Sequence, residues 1–152
     1  SGYGNNSYVK ASLSYLALKD YLGDDLFKKA LHHYMETWHG KHPIPWDYFY
    51  AMEAGSGKDL TWFWKNWFYS NNYIDLKLSS AKLNGKNLNL NIENLGGFAI
   101  PFDVITEYSD GTKSTKHFTP EVWKANEKDF KTNIPSAKKV KSVTIDNGIY
   151  MD

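Results

Sequence analysis

The chain of 152 residues contains neither cysteine nor arginine. Without cysteine there are no disulfide frameworks, thiolate zinc sites or thiol catalysis, and the redox compartment is left open. The lack of arginine bears on partners. Planar, bidentate recognition of phosphate and carboxylate leans on the guanidinium group, so nucleic-acid binding and arginine-clamped pockets are disfavoured. Lysine supplies all 18 basic residues against 17 acids, for a net charge of +1. No lysine run exceeds Lys138-Lys139 with Lys141, which reads as a solvated strand edge. Long apolar runs are missing too: none nears the roughly 20 residues that cross a bilayer. The opening SGYGNNSY has neither the basic start nor the apolar core of a secretion signal.

What the chain has in plenty is aromatic side chains, and 18 of its 25 lie at or before Tyr73. The densest run, Lys41 to Phe68, holds Trp46, Trp62, Trp64 and Trp67, so it is a packing centre or a binding surface. Pro45 suits a first helical position, with Asp47 in the first turn, and that helix should run to about Ala54, where Gly55 and Gly57 stop it. Asp59 can cap a further helix in which Leu60, Phe63, Trp64 and Trp67 share one face, a spacing that reads as core. Upstream, Ser7 can cap a helix from Tyr8 to Leu22, with Leu13, Leu16 and Ala17 buried and Gly23 ending it. After a Gly23-Asp24-Asp25 turn, Leu26 to Trp38 has helical spacing again. Residues 1–73 are thus expected to form four antiparallel helices, a bundle or one layer of a larger domain.

Beyond Tyr73 the apolar period shifts to alternation. Strands are expected over 74–83, 87–93, 100–108, 113–118, 130–134 and 139–146, with hairpin turns at Asn84-Gly85-Lys86 and Asp110-Gly111. Short strands at this spacing describe a small immunoglobulin-like antiparallel β-sandwich over 74–152. The expected class is α+β in two parts.

Few residues suggest chemistry unaided. No two of the five histidines stand at the i, i+4 spacing of a helical zinc pair. His39 and His42 lie in a link between helices and read as an ordinary turn, and His32 with Glu36 reads as a surface pair. Gly55-Ser56-Gly57-Lys58 is too short for a phosphate loop and follows a helix, so it reads as a cap. There is no Ser/His/Asp or Cys/His constellation.

Several short motifs do recur in a telling order. Tyr8-Val9-Lys10 opens a helix that runs to Leu22-Gly23-Asp24-Asp25-Leu26-Phe27. Tyr34, Trp38, Lys41-His42-Pro43 and Pro45-Trp46-Asp47-Tyr48-Phe49 follow, then Met52-Glu53, Ser56-Gly57-Lys58-Asp59-Leu60 and Trp62-Phe63-Trp64 to Trp67-Phe68. Together they resemble the zinc metallopeptidases of the aminopeptidase N family. There a Tyr-x-Lys opens a helix, a Leu-Gly-(Asp/Glu)-x-Phe turn follows, and Pro-x-(Asp/Glu)-Phe-Phe and Asp-Leu-x-x-Phe helices close a thermolysin-like catalytic domain.

The resemblance implies that Tyr8 is catalytic, its hydroxyl facing the oxyanion that develops on the peptide carbonyl. It implies that Tyr3 is a substrate-binding tyrosine and that Lys10 has a structural or local electrostatic role. The family's H-E-x-x-H helix and its downstream glutamate ligand are absent from this sequence. The chain is therefore expected to be the C-terminal piece of a longer enzyme. Zinc, the general base and the missing N-terminal catalytic part would belong to the parent, which would act on peptides, and this piece alone would be inactive. The alternative is a non-catalytic module that binds glycan or protein through Trp38, Trp46 or Trp123, or a scaffold whose parent has lost its zinc ligands.

Overall fold

The computed structural model describes residues 7–38 and 45–148, without the side chains of Ser7, Tyr8 and Pro45. Four helices come first: α1 (Ser7–Leu22), α2 (Asp24–Trp38), α3 (Pro45–Ser56) and α4 (Thr61–Phe68). Only Gly23, at φ +79°, separates α1 from α2, so the expected three-residue turn is a single residue. Asp24 and Asp25 fall inside the first turn of α2 instead, where exposed N–H groups and the helix dipole favour negative charge. On α1 the buried face is Leu13, Ala17, Leu18 and Leu22, while Leu16, expected inside, is exposed.

Gly55 does not stop α3. The helix passes through it to Ser56, and Gly57, at φ +70°, ends it. A Cβ on Gly55 would sit 2.8 Å from the Ala30 Cα, so the missing side chain is what lets α3 lie close against α2. Leu60, Phe63, Trp64 and Trp67 are all buried, as their spacing requires. The cap position of α4 falls on Leu60, not on Asp59, and has no side-chain cap; the Asp59 carboxylate, one residue earlier, accepts the Thr61 N–H at 2.9 Å.

Six strands follow in two antiparallel sheets. The first sheet has the order β1 (Leu76–Asn84), β2 (Asn87–Asn94), β5 (Asp129–Pro135); the second has β4 (Lys113–Phe118), β3 (Phe102–Tyr108), β6 (Val140–Asp146). In β2, Leu88, Leu90 and Ile92 point inward while Asn87 and Asn89 point outward, the period-two pattern of a half-buried strand. A short 3-10 turn, Pro120–Trp123, joins β4 to β5. Four helices with two antiparallel sheets make the class α+β.

Strand β3 begins two residues later than its alternation suggests. The backbone of residues 97–100 is already engaged by side chains: Asn66 donates to the Gly97 carbonyl and accepts from the Ala99 N–H, and the Trp67 and Trp123 indoles donate to the Ala99 and Ile100 carbonyls. Pro101 then has no N–H to offer a ladder.

Two hydrophobic clusters fill the interior. The first gathers the buried faces of the four helices and adds Ile74, Phe98 and Ile100 from beyond them. The second takes Leu88, Leu90 and Ile92 from one sheet, Phe102 and Val104 from the other, and Trp123. Trp62 and Leu76 pack against both.

Candidate active site

Tyr8 and Lys10 lie in the first turn of α1. Tyr3 and the Tyr8 side chain lie outside the described residues, as do His39 and His42. Lys10 is half-buried, its Nζ 5.6 Å from the centre of the Phe98 ring and 5.9 Å from that of Phe68. An ammonium held over ring faces is attracted by their negative quadrupole, and burial lowers the Lys10 pKa from its ordinary value. The motif lysine thus seats the start of α1 on α4 and on the segment before β3. Positions 11, 12 and 15 follow position 8 by three, four and seven, which is one helical face. On that face Ala11, Ser12 and Tyr15 are exposed and, with Leu16, line an open hollow of about 460 Å³.

At the other end of α1 the structure assembles a group that local sequence spacing hides. His117 Nε2 lies 2.8 Å from Asp20 Oδ2, and Nδ1 lies 2.7 Å from Asp103 Oδ1. Asp103 and His117 face each other across the β3–β4 ladder. Asp20, however, is 97 residues away in sequence, and no periodicity connects it to them.

The tryptophans named for a binding role divide. Trp123 is fully buried and Trp46 is half exposed. Trp46 stacks on Tyr69 with ring centres 5.6 Å apart. Together with Phe49, Tyr50, Glu53 and Lys65, these two rings border a hollow of about 520 Å³.

Residues 1–67 match the Peptidase family M1 domain. Over 87 residues the chain is 30% identical to the probable aminopeptidase 2 of Sulfurisphaera tokodaii, a stretch covering 57% of this chain and 11% of that protein. The chain is related to the M1 aminopeptidases. Its fold is also similar to that of Legionella pneumophila aminopeptidase A, crystallised in complex with aspartic acid. That likeness has a TM-score of 0.67 at 17% identity over 90% of this chain and 16% of the other, and it speaks for the fold alone. Against either protein, this chain spans less than a fifth of the length.

M1 peptidases are in general zinc-dependent. Among the described residues no cluster of three or more His, Cys, Asp or Glu side chains is placed to hold a metal ion. Nor is any described helix long and apolar enough to cross a membrane.

Proposed function

We propose that this chain is the C-terminal portion of an M1-type zinc aminopeptidase and that Tyr8 serves its peptide hydrolysis. In this reading the Tyr8 hydroxyl donates a hydrogen bond to the carbonyl oxygen of the scissile peptide as negative charge gathers there. A neutral donor fixed in a water-poor cleft is worth a few kcal/mol to such a transition state. Zinc and the general base come from sequence beyond these residues, and Tyr3 contributes to substrate binding. Alone, the chain does not hydrolyse peptides. Residues 1–73 form the helical end of the catalytic domain as a bundle, and residues 74–152 form an immunoglobulin-like β-sandwich.

The observation that carries this reading is the M1 match over residues 1–67, which includes a Tyr-x-Lys whose lysine is seated on Phe68 and Phe98. The apolar outward face of α1, in line with position 8, supports it by leaving room for a further part of the catalytic domain to pack. The test is Tyr8→Phe in the full-length enzyme with zinc content measured alongside. Turnover should fall by about 10²–10³-fold, the usual loss of one oxyanion donor, with zinc retained. Unchanged turnover would remove Tyr8 from the chemistry.

One observation favours a second reading, a binding module. The exposed Trp46–Tyr69 stack borders a hollow large enough for one sugar ring or one aromatic side chain. Trp46→Ala should abolish retention on a glycan array if that reading holds, and an array with no hits for the unaltered protein ends it.

A further inference from the structure

Asp20 sits in the last turn of α1, Asp103 on β3 and His117 on β4. The imidazole reaches both carboxylates at hydrogen-bond distance, 2.8 Å and 2.7 Å. A neutral imidazole has one N–H and one lone pair, whereas the imidazolium has two N–H groups; an ionised carboxylate only accepts. With both carboxylates ionised, the two contacts are therefore hydrogen bonds together only when the ring carries its second proton.

The surroundings favour that cation. Asp146 from β6 lines the same cleft, and no lysine does so among the described residues. Lys116, the neighbour of His117 on β4, turns to the opposite face with its Nζ 5.7 Å from the centre of the Phe118 ring. On Asp20 the second oxygen, Oδ1, is buried without a hydrogen-bond partner, so the imidazole is what offsets that carboxylate's loss of water.

We propose that His117 is a pH-set clasp: as an imidazolium it ties the end of α1 to the β3–β4 hairpin, and when it loses its proton it lets go of one of the two carboxylates. This does not rest on the peptidase reading. It makes the firmness with which α1 is held to the second sheet depend on the ionisation of a half-exposed ring.

The direction of titration agrees. Burial works to lower the His117 pKa, but the hydrogen bonds and charges of Asp103 and Asp20 outweigh it, and the net shift is upward from 6.5. Asp20 is also shifted up, from 3.8, because its burial outweighs the pull of His117. Both groups hold their protons more tightly when folded, so both favour the folded state toward low pH. The His117 contribution is fully present below about 6.5 and disappears as pH rises through the raised value. A partly exposed pair is screened by water and salt, so the effect is a bias and not an unfolding switch.

The experiment compares melting temperatures of the full chain and of His117→Gln between pH 6 and pH 9. The unaltered protein should lose about 2–4 °C more than the variant over that range, the shift expected for about 1 kcal/mol in a chain of this size. Parallel slopes would overturn the proposal. If His117→Gln does not fold, Asp103→Asn replaces it and the ring is titrated by NMR. In the unaltered protein both ring nitrogens should be protonated at pH 6 and the midpoint should lie above 6.5, moving down in Asp103→Asn. A midpoint at or below 6.5 in the unaltered protein would also sink the idea. Neither measurement reads peptidase activity, so failure here and failure of the Tyr8 reading are distinguishable.

Discussion

Asn66 is a buried amide whose two polar atoms are both spoken for. Its Nδ2 donates to the Gly97 carbonyl at 2.8 Å and its Oδ1 accepts the Ala99 N–H at 2.7 Å, the two bonds a neighbouring strand would otherwise make. Asn66→Ala leaves that carbonyl and that N–H buried and unpaired, at about 1–3 kcal/mol each. A loss of about 2–6 kcal/mol in denaturant unfolding is expected. Gly55 offers the opposite kind of test. In an ordinary helix Gly→Ala gains roughly 1 kcal/mol, yet here the new methyl would press on the Ala30 backbone and on the His33 Cβ, 2.9 Å away. Gly55→Ala should therefore destabilise by about 1–3 kcal/mol, the range for overpacking, as a lower denaturant midpoint. A gain in stability would mean that α2 and α3 can part without cost.

At the scale of elements, what the sequence discloses is what local physics decides. The buried stripe of α4 and the inward Leu88, Leu90 and Ile92 of β2 follow from the spacing of apolar residues, and they stand where that spacing puts them. Strand β4 has no such stripe, since five of its six residues are exposed, and only the Asp110-Gly111 turn before it marks the strand. Helix and strand ends depart from local preference where tertiary contact overrides it: α3 runs through Gly55 because α2 lies against it, and β3 waits until Phe102 because side chains take the backbone before it.

The Asp110 turn gives a prediction at this scale. Its Oδ1 accepts from the Thr112 hydroxyl at 2.6 Å and from the Thr112 N–H at 2.9 Å, and Lys138 lies 3.1 Å from Oδ2. These bonds favour the ionised form and hold the carboxyl pKa down at about 2. A carboxylate lowered in the folded state supports the fold above its unfolded value of 3.8 and ceases to do so as pH falls through about 2. The Thr112 amide should therefore stay protected from hydrogen exchange until the pH nears that value. In Asp110→Ala it should exchange faster at neutral pH, and an unaltered rate there would assign the turn to Gly111 alone.

Across the whole molecule, the parts that matter most were the least legible, because they join residues far apart in sequence. Asn66 and Ala99 are 33 residues apart, and Asp20 and His117 are 97. No window of helical or strand period spans such gaps. Tyr8 stands out through the order of its neighbouring motifs, not by anything in its own spacing. The seam between helices and sheets is built from these distant pairs: Trp67 stacks on Phe98 with ring centres 4.3 Å apart and donates to the Ala99 carbonyl, while Lys10 covers the same Phe98. Phe98 and Ile100 belong to the helical cluster although they follow β2, so the helices lose part of their core if segment 97–100 leaves with the sheets. Helical ellipticity and hydrogen exchange at β2 amides such as Leu90 should therefore report one denaturant midpoint, the mark of a single cooperative unit. Trp67→Phe keeps an aromatic ring beside Phe98 but leaves the buried Ala99 carbonyl without its donor, for about 1–3 kcal/mol besides the packing lost with the smaller ring, and should move both probes together. The Asn66→Ala, Trp67→Phe double variant strips α4 of three of its bonds to this segment and should split the transition, the helices melting at lower denaturant than the sheets. If the two probes already part in the unaltered protein, segment 97–100 is not what couples them.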